Sequence, residues 1–444
     1  MAMKIVQAVG WYHPDSIGGT EIYVAALARH LRACGHQVLI VAPEAGAHAP
    51  RTYAFEGDEV FRYPVPATPT RDEAQGDVAV RGAEHFHRWL RDAHADVVHF
   101  HTFVTGLGLP EIVAAKQAGS RVIATTHSSS LGFLCQRGTL MWRGRAICDG
   151  VVDVGRCAEC ELEHRGAGRL VAGVLAAIPP QLGGLARRLP GRAGTALAMT
   201  DLIVRNERRQ RAMLDAVDGF VVLTQRAADI VLANGAPAAK VFVNRLGVSE
   251  PASSTSSETA KGDRSNVRVG YVGRFDPIKG VLDLANAIRA VPEDVPLRVE
   301  FRGPAQTPSD RATRASVAHI LAGDPRVAIG DAVSPSAVHD LLRTYDVLCC
   351  PSRCLEGGPT AGLEALAAGI PVIAASVGGV AEVLEDGVNA RLVPPGDVER
   401  LAAALVEVAR NPEGTIRRWC DRLPPPRTMR DVAHDYLALY VSPH

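Results

Sequence analysis

The chain has 444 residues and a mass of 47.1 kDa, room for two or three domains. Its 47% hydrophobic and 22% charged residues exclude a disordered or collagen-like chain. Lys+Arg and Asp+Glu balance at 48 each and aromatics are 5%, which excludes a chain-wide grip on nucleic acid and a stacking platform for single strands.

The opening Met1-Ala-Met-Lys-Ile-Val-Gln shows no secretory pattern. Residues 4–9 predict a strand, 10–19 a loop with Pro14, Gly18 and Gly19, and the stripe Ile22, Ala25, Ala26, Leu27, Leu31 a helix capped by Thr20. Further strands are predicted at 37–41, ended by Pro43, and at 96–100 and 121–126, with a helix over 80–95. Strands alternating with helices imply a parallel sheet covered on both faces.

Residues 162–217 break this alternation and hold nine Arg, among them Arg165, Arg169, Arg187, Arg188 and Arg192. Two readings stand: a helical excursion with a solvated basic face, or a surface that meets anionic lipid or a phosphate-bearing acceptor. Two uncharged stretches, 170–186 and 365–381, are interrupted by Pro and neither offers the ~20 apolar residues of a spanning helix. The expectation is a soluble cytoplasmic protein, at most peripheral to the inner face of a membrane, with its nine Cys reduced.

Residues 250–266 read as a linker. The grammar then restarts: strand 267–272, helix 281–291, and strands 297–301, 347–350 and 372–375. Two α/β domains are therefore expected: residues 1–249 with a Cys-rich insert at 131–161 and the Arg-rich excursion, and residues 267–415. A helical tail follows at 416–444, with a return to the N-terminal domain as one option. Ligands of such sheets sit beyond the carboxyl ends of the strands, so the cleft between two facing domains is the natural site.

Three loops could hold an anion. Gly18 and Gly19 precede a helix, where glycines admit a close ligand and free N–H groups favour phosphate. Gly273-Arg-Phe-Asp-Pro-Ile-Lys-Gly280 puts Arg274 and Lys279 at a strand's carboxyl end. In Glu356-Gly-Gly-Pro-Thr-Ala-Gly-Leu-Glu364, a turn through Gly357, Gly358 and Pro359 leads into a helix begun by Thr360. Its two carboxylates can hold hydroxyls of two different sugars, with phosphate on the N–H groups between them.

Together these motifs resemble the GT-B glycosyltransferases, in particular the large retaining family 4 type (glycosyl transferases group 1) with its bacterial polysaccharide enzymes. The resemblance rests on G-G-T-E-I-Y-V-A-A-L, on G-R-F-D-P-I-K-G, and on E-x7-E with its continuation E-A-L-A-A-G-I-P-V-I-A-A-S-V-G-G-V-A-E-V-L. It implies two facing Rossmann-like domains and a UDP- or GDP-sugar donor. Gly19 then lies near the donor diphosphate, with Gly18, Gly273, Gly358 and Thr360 in the same binding loops. Arg274 and Lys279 neutralise the leaving diphosphate, and Glu364 binds the nucleotide ribose. Glu356 lies by the transferred sugar, as a stabiliser rather than a nucleophile. His127, ending I-A-T-T-H, matches the family histidine that touches the sugar; read alone, it is more often a structural histidine.

Two departures stand out: Asn244-Arg-Leu-Gly-Val replaces the usual P-N-G-V, and G-G-P-T-A-G-L replaces an aromatic and a third glycine. No D-x-D occurs in the sequence, so no catalytic divalent metal is expected and cations must stabilise the leaving group. The expected acceptor is a glycan or a lipid-linked sugar, with no nucleic-acid partner.

Cys135, Cys148, Cys157 and Cys160 form a separate cluster, one C-x2-C plus two nearby Cys. It suits a structural zinc, with an iron–sulfur cluster or free thiols as alternatives. Two rival functions remain: a catalytically silent sugar-nucleotide-binding subunit and a GT-B sugar-nucleotide epimerase. A Rossmann oxidoreductase would need G-x-G-x-x-G after the first strand, which residues 10–19 lack.

Overall fold

In the computed structural model the described residues are 2–16, 18–127, 135–249, 265–355, 357 and 360–442. The chain forms two compact units, one of Met1–Arg143, Cys148–Arg245 and Met429–His444, the other of Gly144–Ile147 and Leu246–Thr428.

The first unit is built on eight strands: β1 (Lys4–Ala8), β2 (Gln37–Ala45), β3 (Arg51–Phe55), β4 (Asp58–Val65), β5 (Val97–Phe100), β6 (Arg121–Thr126), β7 (Gly219–Val222) and β8 (Val241–Val243). Their order is β8-β7-β6-β5-β1-β2-β4-β3. All neighbours are parallel except the edge hairpin β3–β4. The central β1 is nearly continuous apolar sequence because both its faces are covered; Ile5, Val6 and Ala8 are fully buried.

Pro43 does not end β2, which runs to Ala45 against β4. β1 pairs with β2 only as far as Val41, so the last residues form a free edge on that side, where proline is tolerated. Helix α1 (Gly19–Ala33) begins at Gly19 rather than after Thr20, with Gly18 as its N-cap. Helices α2 (Ala83–Ala93) and α3 (Leu109–Gln117) flank the sheet strands.

The Arg-rich stretch folds as α4 (Val154–His164), α5 (Arg169–Ala176), α6 (Pro180–Ala186), α7 (Gly191–Leu197) and α8 (Met199–Ala216). A small core of Ala158, Leu162, Ala172, Met199, Leu202 and Ile203 holds these helices together. Among the described residues, no single helix is long and apolar enough to cross a membrane. Helix α9 (Gln225–Ala233) precedes β8.

The second unit has six parallel strands: β9 (Val267–Val272), β10 (Leu297–Arg302), β11 (Val327–Gly330), β12 (Val347–Cys350), β13 (Val372–Ala375) and β14 (Arg391–Val393), in the order β11-β10-β9-β12-β13-β14. Around them lie α10 (Val281–Ala290), α11 (Pro308–Ile320), α12 (Thr360–Ala367) and α13 (Val398–Arg410). One face packs Phe275, Leu284, Ile288, Phe301, Leu405 and the fully buried Trp419. The last helix, α14 (Met429–Val441), belongs to the first unit, where it packs on α1. Of the expected linker, residues 250–266, positions 250–264 lie outside the described residues.

Candidate active site

In the second unit the chain winds from β9 outward to β11, then returns to place β12 on the other side of β9. The gap between β9 and β12 is therefore a topological switch point, where loops diverge and a ligand fits beyond the carboxyl ends. The structure thus places Gly273, Arg274 and Lys279 after β9, one strand of this switch point, and Thr360 and Glu364 after β12, the other.

The 273–280 loop is held rigidly. Phe275 is fully buried and the Tyr271 hydroxyl donates to the Arg274 carbonyl at 2.7 Å. The Asp276 carboxylate accepts from the Ile278 N–H at 3.0 Å and caps the short turn Pro277–Lys279. Gly280 has φ +70°, and a Cβ there would stand 1.8 Å from the Pro351 carbonyl oxygen. The Arg353 N–H donates to the Ile278 carbonyl at 2.7 Å. Beside them, the Arg353 guanidinium makes a two-pronged ion pair with buried Asp283. The turn carrying Lys279 is so fastened to the segment leaving β12. Arg274 stays half exposed, 3.3 Å from Asp276. We expect Gly280→Ala to destabilise this unit by more than ~1 kcal/mol, because both the backbone angle and the carbonyl oppose a methyl group. A lowered urea midpoint would show it; an unchanged midpoint would contradict the close approach.

Thr360 and Glu364 are four residues apart and share one side of α12. Burial pushes the Glu364 carboxyl above its ordinary value of 4.5. No cation or hydrogen-bond donor among the described residues offsets that burial. Such a group is an acceptor in want of donors. Glu356 and Gly358 lie outside the described residues.

In the first unit the switch point falls between β1 and β5. Gly18 and Gly19 open α1 without a side-chain cap. A Cβ at Gly18 would come within 2.7 Å of the Glu21 carboxylate, the end of a side chain that could turn aside. A Cβ at Gly19 would meet no atom within 4 Å, so packing does not demand glycine there.

His127 follows β6, partly exposed, with the Tyr23 ring against it at 4.7 Å. Sequence reasoning missed what lies behind it. The Gln7 amide donates to the Tyr440 hydroxyl at 3.5 Å, which leaves Gln7 Oε1 to accept from His101 Nε2–H. His101 Nδ1 must then accept, and it does so from His127 Nε2–H at 3.2 Å. His127 is left with a lone pair on Nδ1. His99 completes the network, at 2.6 Å from the Tyr440 hydroxyl and 2.7 Å from the Thr125 hydroxyl. Burial pushes His127 down to about 3 and holds His99 and His101 well below 6.5. The spacing of His99 and His101, at the end of β5 and just past it, was the available signal.

The cysteines depart from expectation. Among the described residues no three His, Cys, Asp or Glu side chains gather to hold a metal ion, so the zinc expectation for Cys135, Cys148, Cys157 and Cys160 finds no support. Two of the four sulfurs accept from backbone: the Gly150 N–H donates to Cys148 Sγ at 3.4 Å and the Arg143 N–H to Cys160 Sγ at 3.3 Å. Burial pushes the Cys157 thiol up to about 11 and also raises Cys148 and Cys160, with the nearby Cys135 adding to each shift. Residues 131–134 of the insert lie outside the described residues.

Comparison with known proteins agrees with the two-unit architecture. Residues 17–169 match the model for glycosyltransferase family 4, and residues 266–411 that for glycosyl transferases group 1. The chain is a glycosyltransferase of the GT-B type. It is 28% identical to a phosphatidyl-myo-inositol mannosyltransferase of Mycobacterium leprae, over 90% of this chain and 86% of that one. Over 46% of the chain and 51% of the relative, it is 31% identical to a D-inositol 3-phosphate glycosyltransferase of Kribbella flavida. Sucrose-phosphate synthase from Thermosynechococcus elongatus shares the fold of this glycosyltransferase with a TM-score of 0.66 and 18% identity, covering 99% of this chain and 98% of that one. Anabaena HepE, solved with UDP-glucose, does so with a TM-score of 0.64 and 15% identity, covering 98% and 99%.

Proposed function

We propose that the protein is a retaining glycosyltransferase that moves a sugar from a nucleoside-diphosphate sugar to a hydroxyl of a glycan or lipid-linked acceptor. The observation that carries this reading is Glu364, a carboxylate raised by burial and set beside the β9–β12 switch point. Two ribose hydroxyls would supply the donors it needs. Arg274 and Lys279, which follow β9 at the same switch point, suit a diphosphate. The names of the relatives, which act on inositol-containing acceptors, and the UDP-glucose in HepE support the same donor and acceptor classes.

The bond between the anomeric carbon and the diphosphate oxygen breaks, and its electron pair stays on the phosphate. Arg274 and Lys279 stabilise that charge. The acceptor oxygen bonds to the anomeric carbon from the face the phosphate leaves, and its proton passes to the departing phosphate oxygen. In the first unit, His127 offers a neutral imidazole nitrogen suited to accept from a sugar hydroxyl.

Glu364→Gln is expected to weaken binding of bare UDP or GDP ~10–100-fold, since one charged acceptor serving two donors is lost. Wild-type binding should also weaken as pH falls toward the raised Glu364 value, because the protonated acid no longer accepts at both oxygens. Calorimetry measures both. Glu356→Gln should spare the bare nucleotide and impair sugar transfer. Equal loss of nucleotide affinity in the two variants would show that the roles are misassigned.

A further inference from the structure

The α5–α6 pair displays large apolar side chains to solvent in a concentration found nowhere else among the described residues. Leu170 is 88% exposed, Val174 71%, Leu185 67%, Leu182 59% and Val171 56%, and Leu189, just past α6, 49%. On α5, residues 170, 171 and 174 share one side while Ala172 points inward. On α6, Leu182 and Leu185 share a side while Gly183 points inward. Isolated exposed apolar residues are ordinary, but a run of them marks an interaction surface. The two helices are bent by 105° at Pro179 and Pro180, which suits lying in an interface rather than crossing it.

Charge selects the partner. Residues 165–200 contain five Arg and no Asp, Glu, Lys or His. Arg169, Arg188 and Arg192 are exposed. Arg187 is not available, because it pairs with Asp72. Beside the apolar helices lies a hollow of about 580 Å³ lined by Arg71, Arg165 and Arg192. Arg71 donates to the Arg187 carbonyl at 2.8 Å and the Thr195 hydroxyl at 3.1 Å, and Arg192 to the Arg165 carbonyl at 3.0 Å. Those acceptors are neutral, so both guanidiniums keep their charge for an anion; Arg165 is paired with Glu161 at 2.6 Å. A second copy of the chain would bring like charges together on this face. An anionic bilayer offers phosphate to the arginines and acyl chains to the leucines.

We propose that residues 165–192 dock the protein on an anionic phospholipid bilayer, Leu170, Val174 and Leu185 entering the acyl boundary and Arg169, Arg188 and Arg192 meeting lipid phosphates. This goes beyond the reading of the donor site and is tested without any sugar. Full-length protein is sedimented with vesicles of phosphatidylcholine alone, or with 30% phosphatidylglycerol, at low and high salt. The wild type should pellet with the anionic vesicles at least tenfold more strongly than with neutral ones, less so in high salt. Leu170→Ser/Val174→Ser/Leu185→Ser should lose at least tenfold, and Arg169→Glu/Arg188→Glu a comparable factor. Both variants should bind UDP as the wild type does. A wild type that stays in the supernatant with anionic vesicles overturns the proposal, as does a serine variant that pellets like the wild type. Displacement by millimolar inorganic phosphate would make the hollow a free-anion site and overturn it too. A dimer that the serine variant abolishes would assign the face to a second copy.

Discussion

Lys279→Ala and Arg274→Ala are each expected to lower kcat by ~100–1,000-fold while the second unit stays folded. Rupture of the glycosidic phosphate bond concentrates negative charge on one diphosphate oxygen. A cation already held in place lowers that barrier because nothing must reorganise when the charge appears. The structure supplies the holding. Phe275 anchors one side of the loop, Asp276 caps the turn, and Gly280 lies against the Pro351 carbonyl. Arg274 and Lys279 are not core residues, so truncating them leaves the packing of Phe275, Leu284 and Phe301 in place.

The double variant should be little worse than either single one, since the two cations act on one leaving group and their effects do not add. Steady-state kcat at saturating donor, with circular dichroism as the folding control, decides the matter. Both variants within threefold of wild type would remove these residues from the leaving-group role. If a chelator too weak to strip thiolate sites abolished turnover and magnesium restored it, a metal would share the work.

The elements that position this loop were largely legible. Strands 267–272, 347–350 and 372–375 coincide with the observed β9, β12 and β13, because buried parallel strands are short apolar runs bounded by turn residues. What was not legible is long-range. The clamp of Gly280 on Pro351 and the pair Arg353–Asp283 join residues about seventy positions apart, and no local pattern announces them. Arg187 looked like one more surface charge until Asp72, 115 positions away, took it. The edge hairpin β3–β4 escaped notice because its strand Arg51–Phe55 is mostly exposed and carries no strong alternation. The cysteine spacing suggested a ligand set, but among the described residues no three His, Cys, Asp or Glu side chains gather to hold a metal ion.

The His99–His101–His127 network should make the first unit acid-labile above the ordinary carboxylate range. All three imidazoles are held neutral by burial, His127 with its value lowered from 6.5 to about 3. The unfolded chain takes up their protons near 6.5 and the folded chain does not. Their stabilisation is therefore complete above 6.5 and is lost as pH falls toward the folded values. With its value moved from 6.5 to about 3, His127 alone forfeits ~2 kcal/mol between about pH 7.5 and pH 5. Glu111 works in the opposite direction, since burial raises it to about 7 and it stabilises more at low pH. Three imidazoles outweigh that one carboxyl, so net stability should fall on acidification. Tyr23, Tyr436, Tyr440, Gln7 and Thr125 face the rings, and none of them carries a negative charge in this range that could hold an added proton. Imidazole nitrogen resonances should show no titration of the three residues between pH 8 and pH 5 in folded protein, with the Nε2 proton on His127 directed at His101. Urea midpoints over the same range should drop, and drop less in His127→Gln. A His127 that titrates near 6.5 in the folded state would mean that the ring is hydrated, and both the fixed tautomer and the acid lability would fall with it.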